Sequence, residues 1–208
     1  MPKKEVPIDF LQNYLPTGTS VPVTAYLHQY KVHLTITKER ASILGDYRHR
    51  THHANHRISI NSTLNRYSFL ITLLHEMAHL LTYETYGNKV MAHGKEWKTI
   101  YGQLLKEFLQ QKVFPADIEK ELLRSFKDPA ASSCAEEGLL RVLRNYDEKK
   151  NGHLLVEELP ANSKFRLKDG RVFQKGEKLR KRFKCVEIKT GKLYLFSPVY
   201  EVFTVHSS

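Results

Sequence analysis

His75-Glu76-Met77-Ala78-His79 sets two imidazoles one helical turn apart, with a carboxylate beside the first, inside an apolar run from Phe69 to Leu81. Residues four apart share a helical face, so His75 and His79 can both bind one Zn²⁺ ion. Glu76 stands about 100° around the same helix from His75. There it would not complete the coordination, but it could take a proton from a water that the metal activates. The chemistry that this pattern supports is zinc-dependent hydrolysis. The competing reading is a pair of core histidines on a partly exposed helix. It is the weaker one, because Leu70, Ile71, Leu73, Leu74, Met77, Ala78, Leu80 and Leu81 make the segment apolar nearly all round. Such a helix is buried, and buried imidazoles and carboxylates need partners.

A zinc site that keeps a position open for water needs a third protein ligand. His93, in Met91-Ala92-His93-Gly94-Lys95-Glu96-Trp97, is favoured. Gly87 and Asn88 end the first helix and let the chain turn back. A second helical pattern runs from Lys95 to Gln111, with Trp97, Ile100, Tyr101, Leu104, Leu105, Phe108 and Leu109 as its stripe, and His93 stands at its start. Glu84 and Glu96 are rival third ligands. Gly94 favours His93 because it permits a tight backbone approach, whereas Glu96 in the first helical turn already has a dipole reason to be there.

These two motifs together resemble the SprT-like zinc metalloproteases, a group that includes the Spartan proteases of DNA–protein crosslink repair. In that family HExxH is followed, about a dozen residues on, by a histidine, a glycine and an aromatic. The resemblance covers residues 20 to 127. It implies His75, His79 and His93 as ligands of one Zn²⁺ ion, Glu76 as general base, a protein substrate and DNA as a partner. It further implies a small zincin layout, in which a short sheet covers the active-site helix and an edge strand binds the substrate backbone. Tyr83, Tyr86 and Tyr101 are candidates to stabilise the oxyanion, Tyr83 first because it lies one turn beyond His79.

The elements that must position these residues follow from periodicity. Pro7 to Leu15 and Val21 to Gln29 read as short helices. Val32 to Thr37, Tyr47 to Arg50 and Arg57 to Asn61 read as strands, with Gly45-Asp46 as a break, and Ile58 to Ile60 is the candidate substrate-binding strand. Pro115 begins a third helix carrying Ile118, Leu122, Leu123 and Phe126, which Lys127-Asp128-Pro129 stops. Ala130 to Ser133 reads as a linker, and Glu136 to Tyr146 as a short amphipathic helix. The expected fold is therefore α+β: a small zincin-type catalytic domain over 1–128, a linker with a short helix over 129–160, and a small antiparallel β unit over 161–208.

At 208 residues the chain can hold one medium domain and a smaller one. Charged residues interrupt every apolar run, so no membrane span is expected. The amino terminus lacks the apolar stretch of a secretion signal, and a cytoplasmic location is expected. Two cysteines, Cys134 and Cys185, argue against a disulfide framework.

Charge is unevenly spread. Residues 163 to 192 carry eight lysines and four arginines against three acidic residues, so nine of the chain's eleven net positive charges lie there. Apolar residues alternate with these charges, which reads as an antiparallel sheet with a basic face attractive to nucleic acid, Lys181, Arg182 and Lys184 foremost. A second basic stretch, Arg48 to Arg57, offers Arg48, Arg50 and Arg57 as a phosphate-contacting rim. The competing reading of both is a solvated, solubilising surface. SprT-like proteins often carry a carboxy-terminal zinc ribbon with two Cys-x-x-Cys knuckles, and this segment resembles one that has lost them. Phe165 to Gly170 contains no cysteine, and Cys185 is followed by Ile188 where its partner would fall. One thiolate does not hold a structural zinc, so none is expected in this half. The alternative to a peptidase is a basic nucleic-acid-binding protein with a structural or idle zinc site; the motif also leaves open a hydrolase of a non-peptide bond.

Overall fold

The computed structural model describes residues 8–40, 43–126, 129, 132–148 and 152–205. Pro7, the helix stop at Lys127-Asp128 and the Ala130-Ala131 part of the expected linker lie outside the described residues. The chain divides into two units, one up to Asp147 and one from Glu148 onward.

In the first unit a 3₁₀ segment at Ile8–Asn13 replaces the first expected helix, and α1 spans Ser20–Gln29. Three short strands follow: β1 (His33–Thr37), β2 (Gly45–Arg48) and β3 (Arg57–Asn61). Their order is β1-β3-β2, with β3 parallel to β1 and antiparallel to β2. Alternation on β3 sends Ile58 and Ile60 into the core, where both are fully buried. This corrects the expectation that Ile58 to Ile60 forms a substrate-binding edge. β3 is paired on both sides, so its backbone groups are already used, and β1 and β2 are the free edges.

The long helix α2 (Arg66–Tyr86) carries the histidine pair. Asn65 caps its start, accepting hydrogen bonds from the Tyr67 and Ser68 N–H groups at 3.1 and 2.9 Å. Gly87 ends it at φ 62°, donating its N–H to the Tyr83 carbonyl at 2.7 Å, a conformation that glycine adopts without steric cost. Between those ends the helix is buried on all sides from Ser68 to Ala78, as its composition requires. α3 (Lys95–Gln110) packs Trp97, Tyr101, Leu104, Leu105 and Phe108 into the same core, and α4 (Ala116–Ser125) adds Ile118 and Leu122.

The expected linker is in part core. Cys134 is buried, and α5 (Glu137–Arg144) places Leu139 and Leu143 in the cluster that holds α2. Asn65 also donates to the Leu143 carbonyl at 3.0 Å and to Asp147 Oδ1 at 2.6 Å, so the α2 cap clasps the chain after α5. The division between units therefore falls after Asp147 rather than after residue 128.

The second unit is an antiparallel six-stranded sheet that curls. Its strands are β4 (His153–Leu155), β5 (Lys164–Arg166), β6 (Val172–Leu179), β7 (Arg182–Glu187), β8 (Leu193–Phe196) and β9 (Glu201–Thr204), in the order β4-β9-β5-β6-β7-β8. Its first strand falls within the stretch read as linker. Phe165, Phe173, Phe183, Cys185, Phe196 and Val202 form a core of its own, with the Phe165, Phe173 and Phe196 rings 5.0 to 5.6 Å apart. β6 and β7 slip register between Lys175 and Lys178, and Gly176 is required there because a Cβ would collide with the Lys184 carbonyl. Among the described residues no helix is long and apolar enough to cross a membrane.

Candidate active site

His75 and His79 project from one face of α2, and His93, just before α3, turns back toward them. One ligand nitrogen from each lies within 4.8 Å of the others. His75 Nε2 and His93 Nε2 are 3.3 Å apart. Two nitrogens on a tetrahedral zinc, each bonded at about 2.0–2.1 Å, stand about 3.3–3.4 Å from each other. Burial holds His75 down to about 3 and His79 down to about 4, and it lowers His93, so the three imidazoles are neutral with lone pairs available. The residues fit a metal ion.

Trp97 fixes this cluster from behind. Its buried indole touches all three rings, at centroid distances of 4.7 Å to His75, 5.3 Å to His79 and 4.8 Å to His93, and Tyr101 stacks on it at 4.9 Å. The rival ligands are elsewhere. Glu84 Oε1 lies 3.2 Å from the Arg50 guanidinium and 3.3 Å from His56 Nε2, and Glu96 does not join the converging group.

Glu76 lines the same cleft as the imidazoles, does not join their converging group and reaches Gly45 of β2. Burial, then the neighbouring Asp46 carboxylate, push its carboxyl up to about 8, with Arg40 opposing. In the metal-free chain this carboxyl therefore keeps its proton at neutral pH. Gly45, the first residue of β2, makes room for it: a Cβ there would stand 2.7 Å from both Glu76 Oε1 and Thr72 Cγ2. Arg40 pins the segment that delivers Gly45, bonding Asn61 Oδ1 at 2.8 Å, Ser59 Oγ at 2.9 Å and the Leu44 carbonyl at 3.3 Å.

The imidazoles and Glu76 open into a cleft of about 520 Å³. One wall is Gly45, Asp46 and Tyr47 of the β2 edge, and another comes from the 88–93 loop; Ser132 and Ser133, read from sequence as linker, also line it. Of the three tyrosines considered, Tyr83 lines the cleft and stacks on His49 at 4.5 Å. Tyr101 is buried under Trp97, and Tyr86 is on the exposed end of α2. Sequence reasoning missed Tyr47. Its ring lies parallel to His79 at 6.4 Å, and its hydroxyl donates to His56 Nδ1 at 2.8 Å. No spacing signals such a residue, because β2 is only four residues long.

The basic residues are dispersed. Arg48 pairs with Asp46 at 3.0 Å and Arg50 with Glu84, while Arg57 is exposed on β3. Lys181, Arg182 and Lys184 belong to the second unit, the first two exposed at the β6–β7 turn and Lys184 half-buried on β7.

Two outcomes test this geometry. Gly45→Ala should push the Glu76 carboxylate aside, leaving metal content unchanged while catalytic turnover falls about hundredfold, the scale of an ångström's misplacement. The second concerns chelator-treated protein. Unfolded, His75 and His79 take protons near pH 6.5; folded, only near 3 and 4, so stability declines as pH drops below about 6.5. Glu76 acts in the opposite sense. The fold keeps its proton up to about 8, whereas the unfolded chain releases it near 4.5, so stability declines as pH rises between them. Two imidazoles outweigh one carboxyl below pH 6.5, and the carboxyl acts alone above it. Thermal midpoints of the metal-free protein should therefore peak near about pH 6.5, and Glu76→Gln should flatten the alkaline side.

Residues 20–119 match the SprT-like family, which is associated with metalloprotease-like domains and with zinc. No curated protein and no solved structure gives a significant match to the chain. The matched span runs from α1 through both metal-facing helices into α4, so over it the first unit of this protein is similar to the SprT-like family.

Proposed function

We propose that the protein is a zinc-dependent endopeptidase acting on proteins associated with nucleic acid in the cytoplasm. The observation that carries this reading is the placement of Glu76: buried beside the three imidazoles, facing the cleft and not joining them. Three histidines suffice for a structural metal; a buried carboxylate held next to them at the cleft serves a reaction that moves protons.

His75, His79 and His93 would hold one Zn²⁺ ion, which when bound supplies Lewis acidity toward a water and a scissile carbonyl. Glu76 accepts the proton of the attacking water and delivers it to the leaving amine. The β2 edge offers unpaired backbone groups along the cleft wall, where a substrate strand can add in extended form and bring its carbonyl to the site. Trp97 holds the imidazoles in register throughout.

The nucleic-acid part of the proposal rests on the second unit. Its β6–β7 turn is two residues long, because Leu179 pairs with Arg182, and it places Arg180 at φ 43° with Lys181 beside it. Glycine or asparagine is the usual residue in such a turn. Two cations at this tip, flanked by Lys178 and Arg182, support a surface attractive to a polyanion.

Glu76→Gln should leave about one equivalent of zinc bound and abolish cleavage of a DNA-binding protein substrate, measured by elemental analysis and gel assay with and without DNA. Loss of zinc in that variant would make Glu76 a ligand and end the general-base assignment. Charge reversal at Lys181, Arg182 and Lys184 should weaken DNA binding and shallow its salt dependence by roughly one unit of slope for each phosphate no longer neutralised. An unchanged slope would assign that surface to solubility.

A further inference from the structure

His93 faces two cavities. Besides the cleft, it borders a groove of about 580 Å³ that runs along α3. Lys95, Lys98 and Lys106 line that groove, Lys95 and Lys106 exposed and Lys98 half-buried. Lys95, Lys98, Gly102 and Lys106 recur at helical spacing, so they form a stripe on one face; at 1.5 Å per residue it is about 16 Å long. Gly102 supplies the depression. The Phe126 ring lies 3.5 Å from where a Cβ would stand on it, and so closes the groove from the other side.

A groove that shares His93 with the cleft is within reach of a chain that occupies the cleft. Its length matches about five residues of extended polypeptide at about 3.3 Å each. Its lining includes two half-buried rings, His93 and Phe126, rather than a row of aromatics for successive bases, which is what a single nucleic-acid strand would exploit. We propose that the Lys95–Lys98–Lys106 groove is a specificity subsite that binds an acidic segment of the substrate polypeptide on the His93 side of the scissile bond. The inference rests on the peptidase reading, since it takes the cleft's occupant to be a peptide.

The test uses the full chain, zinc-loaded, in the Glu76→Gln background. Fluorescent peptides with an Asp/Glu-rich or a Lys-rich five-residue flank, and a fluorescent single-stranded oligonucleotide, serve as probes. The acidic peptide should bind more tightly than the basic one, and Lys106→Glu should weaken it about tenfold, a change of one decade in Kd. Lys106 is exposed near the far end of α3, so this variant should fold and keep its zinc. Adding Lys98→Glu should invert the preference. In the active enzyme, Lys106→Glu should raise KM for acid-flanked substrates and leave kcat unchanged. Unaltered affinity for the acidic peptide would overturn the proposal; weakened oligonucleotide binding with unaltered peptide binding would overturn it in favour of a phosphate groove. If the acidic peptide binds as described while the wild type cuts no peptide, the peptidase reading falls and the acid-binding groove stands. If peptides are cut without regard to flanking charge, the peptidase stands and the groove falls.

Discussion

Three neutral imidazoles held with their lone pairs converging are the constraint on which the first unit is built. His75 is buried and His79 and His93 partly so, and removing such groups from water is unfavourable where no shared cation or hydrogen bond replaces it. The fold accepts that arrangement because the surroundings over-determine it. α2 is buried on every side, its two ends are fixed by Asn65 and Gly87, and the Trp97 indole contacts each imidazole. The depressed basicity of His75 and His79 follows from the same burial. It also means that protons compete weakly with a metal for these nitrogens.

Glu76 depends on a different part of the molecule. Its position is set by the β2 edge, where a glycine is the only residue that leaves space for the carboxylate. Arg40 secures the approach to that glycine by bonding to β3 and to the Leu44 carbonyl. The sheet therefore has two tasks. Its central strand supplies core, through Ile58 and Ile60, and its edge supplies a wall that shapes the cleft and can pair with an extended chain.

The second unit divides its residues by a related logic. Inward positions carry most of the phenylalanines, and outward ones carry most of this unit's lysines and arginines. Lys175 is the exception: its ammonium is buried, donates to the Leu159 carbonyl at 2.6 Å and lies 4.3 Å from the centre of the Phe183 ring. A charge so placed is tolerable because backbone oxygens and an aromatic face replace its water. Cys185, in register with Lys175, is a small buried packing residue.

Local patterning by itself indicated most of the helices and strands and the residues that converge at the site. His75, Glu76 and His79 are four residues apart at most, and helix periodicity alone sets their relative directions; His93 is near enough that a glycine-terminated helix and a short loop return it. Pairings between residues distant in sequence were decided only by the tertiary structure. That β3 lies between β1 and β2 depends on partners that alternation does not name, which is why Ile58 to Ile60 looked like an edge. Tyr47 and Gly45 became part of the site through packing against α2, and residues 132–147 joined the first unit because Asn65 and a shared apolar core hold them. Spacing encodes directions along one element. Which elements meet depends on burial and hydrogen-bond partners that only the folded chain supplies.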